Sequence, residues 1–245
     1  MILSVWLASG AARAEPRDRG IYPDLDGQVA AAALGWVVQG GRVVARGQRG
    51  LPDRDRDGIP DPVDILLGAR KVALDGSVYL ETAPALAFPG GDVPRTEGVC
   101  TDVVIRALRN AGIDLQQAVY LDAGRAPAAY PRIGGRRNPS IDHRRVKNLI
   151  RYFERHWQRV PAGAPLAAGD VLFLDAVAGV ADPDHVGIAS DRRNREGLPL
   201  VIHNWHRAGE MDLLPGVPLI AAFRVGRPIS APVIGCGRSG RTPGC

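Results

Sequence analysis

In the earlier part of the chain apolar side chains recur at helical spacing, and in the later part they gather in short runs of strand length. Val103, Val104, Ala107, Leu108 and Ala111 share one face, Asp102, Arg106 and Arg109 take the other, and Gly112 supplies a stop, which predicts a helix opening near residue 100. Val146, Leu149, Ile150 and Phe153 predict a second helix over 144–156, entered from Pro139-Ser140-Ile141-Asp142, and a third is expected over 63–73. Residues 29–38 fit a helix or a buried strand, and Gly40-Gly41 separates them from Val43-Val44. Behind Ala168-Gly169-Asp170, the runs 171–174, 185–190, 200–204 and 219–225 read as strands. Helices first and strands after them make an α+β arrangement, with helices packed on an antiparallel β-sheet.

Composition adds one main domain with appendages, since 245 residues at 45% hydrophobic content suffice for a sizeable core. The net charge of +5 would suit nucleic acid, but the arginines are scattered and aromatic residues make up only 5%. The excess therefore reads as solvated surface, nucleic acid is not an expected partner, and an anionic envelope surface is at most a weak one. Residues 1–14 carry an apolar stretch, Ile2 to Ala8, and end in Ala12-Arg13-Ala14, the small-x-small form of a signal-peptidase site. No later run approaches the ~20 apolar residues that span a bilayer. The expectation is a secreted or periplasmic protein with a signal peptide over 1–14, no transmembrane segment after it, a region of unassigned role over 15–50, an Asp-rich loop over 51–64 and a flexible tail over 227–245.

Three cysteines bear on the chemistry. Cys236 and Cys245 bracket the tail, where they form a disulfide in an oxidising compartment or stay as free thiols. Cys100 stands apart in Gly98-Val99-Cys100-Thr101-Asp102, where a loop containing Pro94 feeds the helix. Unpaired N–H groups and the positive dipole end at a helix N-terminus favour a thiolate, which makes the sulfur a competent nucleophile. A buried structural cysteine is the alternative.

The run from Asp53 to Asp64 is the second informative stretch. Asp53, Asp55, Asp57, Asp61 and Asp64 fall at the acidic positions of a calcium loop, around Gly58, with the Ile59 carbonyl placed to contribute. The run looks like the loops of dockerins and thrombospondin type 3 repeats. Calcium is the expected structural ion, pinning the loop ahead of the helix over 63–73. The alternative is a solvated acidic loop whose charge Arg54 and Arg56 balance.

A cysteine nucleophile needs a base within reach, and the base needs a third group to hold its tautomer. Among five histidines, His185 opens a strand behind Asp182-Pro183-Asp184, at a rim from which it can meet a helix terminus. His203 lies on the next strand, where a suitable register makes the two cross-strand neighbours. His203 and Asn204 point to opposite faces, so only one of them can orient the base.

The order of these features resembles the NlpC/P60 papain-like cysteine peptidases: Cys100 at a helix start, Gly169-Asp170-Val171, His185-Val186-Gly187-Ile188, then a strand ending in His203. Closer still is the bacterial domain of unknown function DUF1287, usually placed in that superfamily. The chain is similar to it in Gly91-Asp92-Val93-Pro94, Gly98-Val99-Cys100-Thr101-Asp102-Val103, Ile141-Asp142-His143-Arg144-Arg145-Val146 and Val201-Ile202-His203-Asn204, over about residues 65–226. The resemblance implies a papain-like NlpC/P60 fold, a catalytic Cys100, a general base His185 and a third polar residue His203, with Asn204 as the alternative. It also implies that the Cys100 backbone N–H helps to form an oxyanion hole. Where NlpC/P60 enzymes commonly carry a Tyr ahead of the Cys, this chain has Phe88, which removes a hydroxyl from the site. Asp102, His143 and Arg144 are expected to line the substrate cleft and meet an acidic peptide; the alternative is an N-cap by Asp142 with surface arginines.

The expected function is a secreted or periplasmic cysteine hydrolase that cleaves an amide or peptide bond in peptidoglycan peptides through a Cys-His-His thioester mechanism, with no cofactor for catalysis. The rival is a non-catalytic, calcium-stabilised cell-envelope-binding module on the same scaffold. A third reading makes Cys100, His185 and His203 zinc ligands.

Overall fold

The ambiguous stretch that ends at Val38 closes as strand: β1 (Trp36–Gln39) runs antiparallel to β2 (Arg42–Ala45), with Val37 opposite Val44. The computed structural model describes residues 36–39, 42–45, 51–57, 59–177 and 182–228. The expected leader, Gly58 of the acidic loop and the tail cysteines Cys236 and Cys245 lie outside them.

Helix α1 (Asp61–Asp75) carries Pro62 in its first turn and ends on Gly76 in the left-handed conformation, the usual proline-in, glycine-out punctuation. Next, β3 (Val78–Tyr79) pairs in parallel with β4 (Glu97–Gly98), which delivers the chain to α2 (Cys100–Asn110). Helix α3 (Leu115–Arg125) is capped by the Asp114 carboxylate, which accepts the N–H groups of Gln116 and Gln117. Its buried face mixes Leu115 and Val119 with Gln116 and Asp122, and those polar members hide the helical period in the sequence. Helix α4 (Val146–His156) begins after a 3-10 turn over Asp142–Arg144, so the helix expected over 144–156 loses Arg144 to that turn and Arg145 to the N-cap.

The sheet follows as β5 (Trp157–Arg159), β6 (Val171–Leu174), β7 (His185–Arg193), β8 (Pro199–Asn204), β9 (Ala208–Met211) and β10 (Leu219–Pro228). These form one six-stranded antiparallel sheet in the order β5-β10-β6-β7-β8-β9. Four helices on such a sheet meet the α+β expectation among the described residues. The expected strands occupy its middle, whereas β5 and β9 are short edges with little apolar signal.

Strand alternation sorts the interior. Val171, Phe173, Val186, Ile188, Ile202, Ala221 and Phe223 face the helices and join Leu66, Val104, Leu108, Leu149 and Phe153 in the main core. Phe153, Phe173 and Phe223 pack there with ring centroids 5.5 to 5.7 Å apart. The opposite sheet face buries Leu172, Leu174, Ala189, Val201 and Ala222 under a smaller layer that includes Leu213 and Val217. Cys100 belongs to the main core, so the N-terminus of α2 is pressed against the sheet near the start of β7. No helix among the described residues is long and apolar enough to cross a membrane.

Candidate active site

Cys100 is the first residue of α2, as expected, but it is buried, with 4% of its surface exposed. Burial pushes the thiol up to about 12; the backbone N–H groups of Val186, Thr101 and Cys100 itself oppose that rise, and the Asp102 carboxylate adds to it. The helix terminus thus acts in the expected direction, yet desolvation of the sulfur outweighs it. The expectation of a thiolate is reversed, and the resting group is a thiol. The Val186 N–H that approaches the sulfur belongs to the residue after His185, which brings the start of β7 against the start of α2.

His185 and His203 are both buried, and His185 Nε2 lies 2.9 Å from His203 Nδ1. Register accounts for the meeting: Ile188 pairs with Ile202, so the two histidines are diagonal neighbours on one face of β7 and β8. A Cβ on Gly187 would stand 2.8 Å from the Ile202 carbonyl oxygen and 3.1 Å from His203 Cβ, so the glycine lets the strands close at this point. The Trp205 ring, 5.1 Å from that of His185, completes an aromatic cluster. Burial holds both imidazoles below their usual 6.5; Asp184 opposes this at His185, and the neighbouring His185 reinforces it at His203. His203 Nε2 is buried with no hydrogen-bond partner among the described residues. No hydrogen bond joins the thiol to His185 among the described residues, and strand alternation turns His185 and His203 to the sheet face opposite Val186, so the structure joins the two neutral imidazoles to each other but not to the neutral thiol.

Asn204 points to the helix side, as alternation requires. Its Nδ2 donates to the Gly98 carbonyl at 3.0 Å and to the Ser77 carbonyl at 3.1 Å, so it fastens the turn ahead of Cys100 rather than His185.

Asp102, His143 and Arg144 are near Cys100 but buried, a placement different from a cleft wall. Arg144 grips the Asp102 carboxylate through two hydrogen bonds of 2.8 Å. Burial opposes its charge, and Asp102 more than offsets that. His143 is pushed down to about 4, chiefly by burial. Asp142 accepts the Asn138 N–H at 2.6 Å and does not cap α4, whose N-cap is Arg145.

Tyr79 is the group that sequence reasoning missed. It lies beside Gly98 in the β3–β4 register, and burial raises its phenol, with Cys100 and then Glu81 adding to the rise. Its hydroxyl donates to Glu81 at 3.2 Å. Phe88 packs on Tyr120 with centroids 4.9 Å apart. A phenol therefore interacts electrostatically with the thiol, supplied from a two-residue strand too short to announce itself by periodicity.

At the acidic loop, one carboxylate oxygen from each of Asp53, Asp55 and Asp57 lies within 4.8 Å of the others. Asp61 is committed elsewhere, accepting the Arg54 N–H at 2.9 Å and Nε at 2.8 Å. Asp64 sits in the first turn of α1, where its carboxylate accepts from Asn110 at 3.3 Å. The residues present fit a calcium ion in part, with three converging carboxylates. Cys100, His185 and His203 do not converge in this way, so the zinc reading does not fit.

The family model for a domain of unknown function, DUF1287, matches residues 67–225. The uncharacterized protein YijF of Escherichia coli (strain K12) is 42% identical over 163 residues, which cover 64% of this chain and 78% of YijF.

Proposed function

The chain belongs to the DUF1287 family, and on that footing we propose that it is a cysteine hydrolase with an NlpC/P60-like, papain-like fold that cleaves an amide or peptide bond in peptidoglycan peptides. One observation carries the reading: the Cys100 thiol at the N-terminus of α2 meets the Val186 N–H of β7, one residue from an imidazole bonded to a second imidazole. His185 Nε2 is engaged with His203, which leaves Nδ1 to serve the sulfur. As the substrate carbonyl arrives, Nδ1 takes the thiol proton and Sγ forms the bond to the carbonyl carbon. The Cys100 backbone N–H meets the developing oxyanion. Collapse breaks the C–N bond, the proton passes from His185 to the leaving amine, and water then cleaves the thioester with His185 again as base. A neutral resting pair suits this concerted transfer, and contacts of this kind tighten when substrate excludes water. The site of action is the bacterial envelope, in keeping with the apolar run and Ala12-Arg13-Ala14 at the start of the chain.

Asp53, Asp55 and Asp57 would hold a calcium ion, whose charge stiffens the loop ahead of α1. The burial of Cys100 supports a second reading, a non-catalytic envelope-binding module on the same scaffold. The deciding experiment incubates wild type and Cys100→Ala with peptidoglycan fragments and follows new amines. Turnover lost in Cys100→Ala supports the hydrolase. Equal turnover in both rejects it, and binding to purified sacculi without any turnover favours the module.

A further inference from the structure

Asp102 and Arg144 form an ion pair whose side chains are 3% and 2% exposed, and the contacts around it run to the turn that holds Cys100. Asp102 Oδ2 accepts the Val99 N–H at 2.7 Å, directly before the cysteine. The Arg144 carbonyl accepts the Thr101 hydroxyl at 3.0 Å, directly after it. Arg144 also donates to the Thr82 carbonyl, which ties the incoming extended segment to the same point. A Cβ on Gly98 would stand 2.9 Å from Asp102 Oδ2, so the backbone ahead of the cysteine is seated on that carboxylate. A buried ion pair is weak evidence for stability, because removing both charges from water offsets their attraction. What the planar guanidinium fork supplies is orientation of a carboxylate, here one that caps the nucleophile's own helix.

We propose that Arg144 is the positioning residue of this site: through Asp102 and Thr101 it fixes the backbone on both sides of Cys100 and cancels the carboxylate charge beside the sulfur. The inference deepens the hydrolase reading and rests on it for its purpose, but its effect on the thiol is measurable without turnover. With Arg144 removed, the bare Asp102 charge opposes thiolate formation; with Asp102 removed, the bare guanidinium favours it. The two single substitutions therefore push the thiol in opposite directions. Mere loosening of the fold would expose and activate it in both.

The test is the rate of iodoacetamide labelling at one pH near neutrality, in the full chain carrying Cys236→Ser and Cys245→Ser so that Cys100 is the thiol read. Arg144→Gln is expected to slow labelling about tenfold, Asp102→Asn to speed it by a similar factor, and the double variant to return to within about threefold of the parent. Single substitutions that move the rate in the same direction, or leave it unchanged, overturn the proposal. If Arg144→Gln does not fold by circular dichroism, Asp102→Asn and the double variant decide: a double variant that labels near the parent rate supports the proposal, and one as fast as Asp102→Asn overturns it. Failure of the hydrolase reading looks different, as a parent protein that labels at Cys100 yet releases no amine from peptidoglycan.

Discussion

His185 Nε2 and His203 Nδ1 stand 2.9 Å apart, two buried imidazoles on neighbouring strands within hydrogen-bond distance of each other. If His185 works through Nδ1, its Nε2–H donates to His203, and His203 fixes the tautomer that leaves Nδ1 open to the thiol. His185→Ala is expected to lower kcat for peptide hydrolysis by about 10³-fold, the scale of a lost general base. His203→Ala should cost about 10²-fold with little change in KM, since it orients the base without touching substrate. Steady-state kinetics on peptidoglycan peptides check both, and full turnover in His185→Ala would remove the base assignment.

The same burial makes the fold acid-sensitive. His143, His185 and His203 have folded pKa values below the unfolded 6.5, so the unfolded chain binds protons more readily than the native one. Their stabilisation is complete above the unfolded value and drains away as pH falls toward 4. Asp122 adds a second stage: burial raises its carboxyl, but Arg155, Tyr130 and His156 more than offset this and bring it to about 2, so its contribution persists above the usual 3.8 and is lost toward 2. Urea midpoints should therefore drop between about pH 7 and about pH 4, and again below that. An unchanged midpoint across the first interval would contradict neutral burial of the imidazoles.

Much of this architecture is legible in the chain because its signals are local. The apolar stripe from Val103 to Ala111 marks α2, and the helix places Cys100 at its start. His185 and His203 fall on the expected strands, and their meeting follows once register is fixed. What escapes a linear reading depends on partners distant in sequence. Arg144 looks like a surface charge until the fold buries it against Asp102, and the thiol looks like a thiolate until the sheet closes over it. Tyr79 reaches the site through parallel pairing with Gly98, which no periodicity encodes.

Asn204 offers a test of how firmly the turn ahead of Cys100 is held. Its two donors serve the Gly98 and Ser77 carbonyls, which also accept the N–H groups of Leu80 and Ala208. Asn204→Leu keeps the branched outline and leaves each carbonyl one partner, so the expected loss is about 1 kcal/mol. Asn204→Asp brings acceptors against acceptors in a buried setting and should cost more, about 3 kcal/mol. Denaturant titrations that rank leucine as the worse substitution would overturn this role for Nδ2.

Calcium would enter the loop against a competitor already seated there. Asp53, Asp55 and Asp57 bring their carboxylates together, while Asp61 is held by the Arg54 backbone and side chain. Calcium at about a hundred times its dissociation constant should stabilise the native chain by about 2.7 kcal/mol. For a chain of this size that corresponds to a rise in Tm of about 5–10 °C. The rise should vanish with a chelator and in Asp55→Asn/Asp57→Asn. Magnesium, which demands a tighter octahedron and keeps its waters, should do less. Arg54→Ala should strengthen the calcium response by freeing Asp61 Oδ2 from the guanidinium while the backbone N–H keeps Oδ1, even though it removes an ion pair from the apo protein. Thermal melts with and without calcium check each arm, and a Tm indifferent to calcium in both wild type and Arg54→Ala would leave the loop as a charge-balanced turn.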